Sequence, residues 1–203
     1  MIRPDCLTSG DKIAIAAPAR KTALEDLQPA ISLFESWGLE VVLPEHLFDQ
    51  QDQFAGPDET RALLFQQLLD DESIKAIICA RGGYGTVRII DKLDFSKFVL
   101  HPKWIIGYSD VTVLHSHIHQ NCGIATLHAT MPLNIPADCD SHYHPAIDSL
   151  RKALFGKDIS YTFPTHEMNR TGVAKGQLVG GNHSILYSLS ADLPVPSTRM
   201  ERY

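Results

Sequence analysis

The chain has 203 residues, a length that accommodates one full domain and a remainder. Its composition, with 44% hydrophobic and 21% charged residues, is typical of a globular protein with a hydrophobic core and excludes an intrinsically disordered chain. The formal net charge of -6 and the lack of a Lys/Arg cluster in the sequence argue against nucleic acid as a partner.

Short apolar runs and helical patterns alternate over the first three quarters of the chain. Strands are predicted at residues 12–17, 39–43, 76–80, 104–106 and 124–127. Helices are predicted at residues 22–37, 58–69, 87–93, 111–119 and 145–155. Such alternation is typical of parallel strands joined by crossover helices. We therefore predict an α/β domain with a doubly wound parallel sheet over residues 1–155.

The first predicted helix carries boundary signals at both ends. Thr22 and Glu25 are spaced as a capping box, in which each side chain bonds to the backbone amide of the other residue. Gly38 follows the last helical residue, a position where glycine commonly ends a helix. We expect the helix to begin at Thr22 and to stop before Gly38.

The pattern changes after Phe155. Two strands are predicted at residues 159–163 and 173–179, and a helix start at residues 183–189. A remainder of this size cannot bury a core of its own. We predict that residues 156–203 form the start of a smaller, β-rich domain that is not completed.

The cysteines and the N-terminus bear on the cellular compartment. The sequence has no Cys-x-x-Cys pair, which indicates reduced thiols rather than a disulfide framework or a zinc ribbon; the four cysteines are Cys6, Cys79, Cys122 and Cys139. The N-terminus has no basic segment followed by a long apolar stretch, and no apolar run is long enough to span a bilayer. We predict a cytoplasmic protein with no metal, no cofactor and no membrane partner.

The most informative segment covers residues 103–110. Its apolar run ends at Gly107, Ser109 follows two residues later, and a helical pattern begins at once with Asp110. This order is typical of a nucleophile elbow, a tight turn between strand and helix that exposes a hydroxyl group. Ser109 is therefore a candidate catalytic nucleophile. The alternative is that Ser109 and Asp110 only cap the helix.

A glycine-rich loop, residues 80–85, follows the preceding predicted strand. Because the carboxyl ends of neighbouring parallel strands meet at one edge of a sheet, we expect this loop near Ser109. Gly82, Gly83 and Gly85 would let backbone amides approach an oxyanion, a carboxylate or a phosphate. The alternative is that the glycines only shape a turn.

These parts have consistent roles in acyl transfer. Ser109 would attack a carbonyl group, while the amides of Asp110 and the glycine loop stabilise the oxyanion. A serine nucleophile also needs a base, usually a histidine. We expect the helix after Ser109 to point His115 and His119 away from the elbow, as packed or solvated imidazoles rather than a metal pair. His128 ends a predicted strand at the same edge and is a candidate pocket residue.

Arg81 opens the glycine loop, and two roles are open for it. Its guanidinium offers a bidentate fork to a substrate carboxylate. Equally, it could form a structural salt bridge.

Five ordered groups of segments resemble the LD-carboxypeptidases, also called muramoyltetrapeptide carboxypeptidases, over nearly the whole chain to Leu189. The segments are Gly10-Asp11-Lys12-Ile13 with Ala17-Pro18-Ala19, Ala80-Arg81-Gly82-Gly83-Tyr84-Gly85, Gly107-Tyr108-Ser109-Asp110, His128 with Met131-Pro132, and Gly180-Gly181-Asn182. The resemblance implies a serine peptidase that releases the terminal D-alanine from a murein tetrapeptide in cytoplasmic cell-wall recycling. It also implies a flavodoxin-like N-terminal domain, a smaller β-rich C-terminal domain and a homodimer.

The resemblance further implies roles for individual residues. Ser109 is the expected nucleophile, and the amides of Gly83 and Asp110 are the expected oxyanion hole. We assign substrate binding to Arg81, Gly82, Tyr84 and His128. The family takes its triad glutamate and histidine from the C-terminal domain, beyond the Gly-Gly-Asn segment, and the sequence ends at Tyr203 before either. We therefore expect little or no turnover by this chain.

Two alternatives to this function remain open. Microcin immunity peptidases share the fold that the resemblance implies. A non-catalytic flavodoxin-like module would instead use the glycine loop to bind a phosphate or a nucleotide, although the sequence lacks a P-loop pattern and a full dinucleotide fingerprint.

Overall fold

A computed structural model of the chain describes residues 1–137 and 144–190. Five strands form one parallel sheet in the order β2-β1-β3-β4-β5. The strands are β1 (Lys12–Ala16), β2 (Glu40–Val42), β3 (Ile74–Cys79), β4 (Trp104–Gly107) and β5 (Leu127–His128). Each overlaps a predicted strand, so the predicted α/β fold with a parallel sheet is confirmed.

Helices connect the strands and continue beyond the sheet. Within the described ranges the α-helices are α1 (Leu24–Ser36), α2 (Asp58–Asp70), α3 (Ser96–Leu100), α4 (Thr112–His117), α5 (Pro145–Leu154) and α6 (His183–Ser190). The predicted helix at residues 87–93 is instead two single 3-10 turns, Thr86–Arg88 and Ile90–Lys92. β-branched residues are frequent in this stretch and lower its helix propensity. The short helix α3 was missed.

Both faces of the sheet are covered, as a doubly wound fold requires. Helices α1 and α5 pack on one face, where the buried side chains include Leu27, Phe34, Ile147 and Leu150. Helices α2, α3 and α4 pack on the other face, where they include Phe65, Leu69, Phe98 and Leu114. Strand β1 contributes Ile13 and Ile15 to the first face and Ala14 and Ala16 to the second, because alternate residues of a strand point to opposite faces.

The start of α1 corrects one prediction, and its end confirms another. The helix begins at Leu24, and the carboxylate of Asp26 accepts a hydrogen bond from the backbone N–H of Ala23 at 3.2 Å. The predicted capping box of Thr22 and Glu25 is therefore wrong, and the Thr22 hydroxyl is buried without a hydrogen-bond partner among the described residues. Gly38 follows the helix with φ +82°, a conformation that glycine adopts without strain.

The segment of residues 157–182 contains no strand, so the two strands predicted at 159–163 and 173–179 are wrong. Its apolar side chains are largely exposed; Phe163, for example, is 78% exposed. An apolar run becomes a strand only when a neighbouring strand accepts and donates its backbone hydrogen bonds, and the described part of the chain pairs no strand with this segment.

Helix α6 confirms the helix predicted at residues 183–189, and it packs on the α/β layers. Ile185 contacts the core cluster beneath α4. The backbone N–H of Asn182 donates to the Thr112 hydroxyl at 2.9 Å, and the Asn182 side chain accepts from the N–H of Ile185 at 3.2 Å. Asn182 and Ile185 therefore contact the α/β layers, while the division into residues 1–155 and 156–203 stays a prediction.

Candidate active site

The glycine loop and the serine turn lie at the same edge of the sheet. Strands β3 and β4 are parallel neighbours, with Ile78 opposite Ile106, so both loops leave the sheet at its carboxyl edge. Strand β5 places His128 opposite Gly107 at that edge. The predicted meeting of these segments is present in the structure.

Ser109 has the backbone conformation of a nucleophile elbow. Its φ is +61°, which is uncommon for a residue with a side chain and is a local strain that often marks a functional position. Gly107 makes the turn possible, because a Cβ at this position would lie 2.8 Å from the Val111 side chain. Neither the 3-10 turn at residues 109–111 nor α4 has a side-chain cap. The capping alternative for Ser109 is therefore not what the structure shows.

The glycine loop lies directly against the serine. A Cβ at Gly82 would lie 3.1 Å from Cβ of Ser109, 3.3 Å from its Oγ and 3.5 Å from the amide nitrogen of Asp110. A side chain at position 82 would therefore press on both the hydroxyl and the amide. Gly83 follows with φ +130°, a conformation that favours glycine. Their contribution to an oxyanion hole stays a prediction, with the loop placed where that role requires it.

The side chain of Asp110 joins the two loops. It is 1% exposed, and its Oδ2 accepts a hydrogen bond from the backbone N–H of Thr86 at 2.9 Å. Thr86 follows Gly85 directly, so this bond fixes the end of the glycine loop to the residue after Ser109. The sequence predicts a role for the backbone amide of Asp110, but it does not predict this side-chain contact with Thr86.

Arg61 holds the outer side of the glycine loop. Its guanidinium, 2% exposed, donates to the carbonyl oxygens of Pro18, Gly56 and Gly85 and pairs with Asp58. Burial lowers the pKa of Arg61, and Asp58 opposes this effect by favouring the charged form. These bonds connect the loops after β1 and β3 with the start of α2.

The sequence contained a signal for Arg61 that the analysis did not use. Arg61 lies four residues before Phe65 and seven before Leu68, which places it on the buried face of the predicted helix. A charged residue on such a face requires a set of buried partners.

His115 corrects the expectation that its helix points it away from the elbow. Helical side chains lean toward the helix N-terminus, and the ring of His115 reaches back to β4, where Nε2–H donates to the Gly107 carbonyl at 2.9 Å. Burial lowers the pKa of His115 to about 4, so the ring is neutral at pH 7. His115 thus supports the turn from within the core.

His119 and His128 lie outside the core. The Nδ1 atom of His119 lies 3.3 Å from the side-chain amide of Gln177. His128 is exposed, and its ring centroid lies 5.9 Å from that of His115 and 6.2 Å from that of Tyr108. Cys139, one of the four cysteines, lies outside the described residues. The role of His128 in substrate binding stays a prediction.

Arg81 and Tyr84 lie at the two ends of the glycine loop. The Nη1 atom of Arg81 donates to the Lys21 carbonyl at 3.3 Å, and Arg81 forms no ion pair within residues 1–137 and 144–190, contrary to the salt-bridge alternative. Tyr84 is half exposed, with its ring 6.2 Å from that of Phe54. Their roles as substrate-binding residues stay predictions.

Two further findings concern the described residues only. They contain no group of three or more His, Cys, Asp or Glu side chains arranged to hold a metal ion. None of their helices combines the length and the apolarity that a bilayer crossing needs.

Comparison with known proteins places this site in a family. A family model described as the LD-carboxypeptidase N-terminal domain matches residues 13–129, which include both loops. The probable murein peptide carboxypeptidase of Bacillus subtilis (strain 168) is 38% identical over 189 residues, which cover 92% of this chain and 59% of that protein. The murein tetrapeptide carboxypeptidase of Pseudomonas aeruginosa is 27% identical over 191 residues, which cover 90% of this chain and 61% of that protein.

A solved structure shares the fold. The MccF-like protein from Bacillus anthracis str. Ames superposes with a TM-score of 0.70 at 22% identity, over 76% of this chain and 47% of that one. This chain spans less than two thirds of the length of the two curated relatives. From the family model, which matches more than half of its residues, we conclude that the chain belongs to the LD-carboxypeptidase family.

Proposed function

We propose that the protein is a serine-type carboxypeptidase that hydrolyses the amide bond between an L-centre and the terminal D-alanine of a murein tetrapeptide. One observation carries the proposal: Ser109 has a φ of +61° and lies against the glycine loop, as a nucleophile facing oxyanion donors requires. The names of the two curated relatives support a murein peptide as substrate. Cytoplasmic cell-wall recycling and a homodimer belong to the proposal through the family resemblance.

The chemistry follows from the arrangement of the two loops. Oγ of Ser109 bonds to the scissile carbonyl carbon and releases its hydroxyl proton to solvent water, while the electron pair of the C=O π bond moves to the oxygen. The amides of Gly83 and Asp110 donate to that oxyanion; loss of one such donor typically costs about 2.7–4 kcal/mol of barrier stabilisation. When the C=O bond reforms, D-alanine leaves as the amine and takes up a proton. Water then hydrolyses the acyl-serine and releases the shortened peptide.

The proposal includes little or no turnover of the amide substrate by this chain, which means slow turnover at most. A serine hydroxyl needs a base within hydrogen-bond reach to lose its proton. Among the described residues, Oγ of Ser109 has no hydrogen-bond partner, and the buried Nε2 of His115 donates to the Gly107 carbonyl. Without such a base, catalysis would depend on substrate binding and the oxyanion donors, which alone retain roughly a 10³–10⁴-fold acceleration over water in serine peptidases.

The test uses a murein tetrapeptide in which D-lactate replaces the terminal D-alanine, since an ester is cleaved more readily than an amide. The chain is incubated with this depsipeptide at high protein concentration, and D-lactate is measured against a protein-free blank. The control substrate ends in L-lactate. We expect slow release from the D-form alone. Absence of release above the blank, or equal release from both forms, contradicts the proposed function. Rapid release that is lost in Ser109→Ala contradicts only the slow turnover.

A further inference from the structure

Arg20 extends from the loop after β1 across the glycine loop. The aliphatic part of its side chain covers Gly83: a Cβ at that position would lie 2.6 Å from Cγ and Cδ of Arg20 and 2.8 Å from Nε. Gly82, the preceding residue, contacts Ser109 in the same way. Arg20 and Ser109 therefore contact consecutive glycines, whose Cα atoms are about 3.8 Å apart. The sequence analysis gave Arg20 no role.

Arg20 is an exposed residue and forms no ion pair within the described ranges. The carboxylates at the start of α2 have other partners: Asp58 binds Arg61 and Arg88, and Glu59 binds Lys92. Arg20 thus retains its donors at the carboxyl edge of the sheet.

Arg81 differs from Arg20 in where its donors point. Its Nη1 donates to the Lys21 carbonyl, and its Nε is buried without a partner among the described residues. One edge of the Arg81 guanidinium is therefore closed to a ligand. Its bond to Lys21 holds the backbone of the residue after Arg20.

We propose that Arg20 binds the terminal carboxylate of the peptide whose scissile carbonyl lies at Ser109. This inference rests on the proposed function and adds its carboxylate subsite. In a carboxypeptidase substrate the free carboxylate belongs to the residue directly after the scissile carbonyl, so its binding group must lie about one residue from the nucleophile. Arg20 meets that condition, because it contacts Gly83 while Ser109 contacts the preceding residue, Gly82. A guanidinium donates two parallel hydrogen bonds to a carboxylate, whereas a carboxamide offers one acceptor and no charge.

The experiment measures binding and does not depend on turnover. The 203-residue chain carrying Ser109→Ala is titrated by calorimetry with acetyl-L-alanyl-D-alanine and with the same dipeptide ending in a carboxamide. The two titrations are repeated after adding Arg20→Ala, Arg20→Lys or Arg81→Ala. Arg3→Ala is the matched control: it removes the same charge from an exposed arginine that lies 5.9 Å from the Trp104 ring, at the opposite edge of the sheet.

We expect the acid to bind more tightly than the carboxamide. Arg20→Ala should weaken binding of the acid at least about tenfold, as expected for loss of a charged hydrogen bond, and leave the carboxamide unchanged. Arg20→Lys should restore part of the affinity, Arg81→Ala should have a smaller effect than Arg20→Ala, and Arg3→Ala should have none.

Three results overturn the subsite. The first is that the acid does not bind. The second is that the acid binds equally well to the Arg20→Ala and Arg3→Ala variants. The third is that Arg20→Ala weakens binding of the acid and of the carboxamide to the same extent. The depsipeptide assay tests the proposed function separately. D-selective release of lactate, together with an affinity for the acid that Arg20→Ala leaves unchanged, would contradict the carboxylate subsite and leave the proposed function intact.

Discussion

The parallel sheet and the segment of residues 157–182 carry similar apolar sequence patterns but differ in structure. In the sheet, each apolar run has a parallel neighbour and a helix over each face, and Phe34 and Phe65 beside it are almost fully buried. In the segment, runs of the same kind are exposed and unpaired among the described residues. The difference shows that a local pattern specifies a strand only together with its neighbours.

Phenylalanine truncation should separate the two regions most strongly. Phe34→Ala removes a fully buried ring from α1 and should lower the free energy of unfolding by about 3–5 kcal/mol. Phe163→Ala, in the exposed segment, should change it by less than about 0.5 kcal/mol. Urea unfolding followed by circular dichroism measures both. Similar losses in the two variants would show that the segment is packed as tightly as the sheet.

Arg61 should prove the most important charged residue for the sheet edge. Arg61→Ala leaves three carbonyl oxygens and Asp58 without their buried partner, and should lower the free energy of unfolding by about 3 kcal/mol. Arg88 also pairs with Asp58 but is exposed, so Arg88→Ala is the matched control and should cost less than about 1 kcal/mol. Urea unfolding of the two variants decides the point, and equal losses contradict the role given to Arg61.

His115 should make the sheet edge sensitive to acid. Its pKa is about 4 in the folded state and 6.5 in the unfolded reference, so the unfolded chain binds the proton first. The stabilisation that the neutral ring provides is fully present above pH 6.5 and is lost as the pH falls toward 4. The free energy of unfolding should fall by about 2 kcal/mol between pH 7 and pH 5.

His115→Gln provides the control for this pH effect. Its side-chain amide keeps a donor for the Gly107 carbonyl and does not titrate in this range. Urea unfolding at pH 7 and pH 5 should therefore show a smaller loss in the variant than in the wild type. An equal loss in both would assign the acid sensitivity to other groups.

Glycine substitution should give the smallest effect on stability and a specific effect on the site. In Gly82→Ala, the new methyl group would lie 3.1 Å from Cβ of Ser109, which should lower the free energy of unfolding by about 1 kcal/mol. It should also weaken binding of a peptide boronate, in which boron replaces the scissile carbonyl carbon, by at least about tenfold. Gly172→Ala, with nothing within 4 Å of the new Cβ, should change neither quantity. Unaltered boronate binding in Gly82→Ala would contradict the close approach of the two loops.

The sequence predicted the sheet well because its signals were both local and periodic. Each observed strand overlaps an apolar run, and Gly38 ends α1 as predicted. The order of Gly107, Ser109 and Asp110 predicted the elbow, because only a tight turn fits between a buried strand and a helix at that spacing. The helix boundaries were less well predicted, since Asp26 rather than Glu25 accepts the capping hydrogen bond.

The rest of the site depends on contacts between residues distant in sequence. Arg20 meets Gly83, Asp110 meets Thr86, and Arg61 meets Gly85 only after the strands have aligned their carboxyl ends. The spacing of residues along the sequence does not reveal those contacts. For the same reason the sequence pointed to Arg81, which belongs to the glycine loop, and gave no signal for Arg20, which reaches that loop from the loop after β1.

Boron-11 NMR of the peptide boronate bound to the chain tests the central claim most directly. A trigonal boronate becomes tetrahedral when a serine hydroxyl bonds to boron and nearby donors stabilise the negative charge. We predict a tetrahedral boron signal that saturates with the wild-type chain and is absent with Ser109→Ala. The same signal with both chains, or a trigonal signal with both, would contradict the assignment of Ser109 as the nucleophile at the glycine loop.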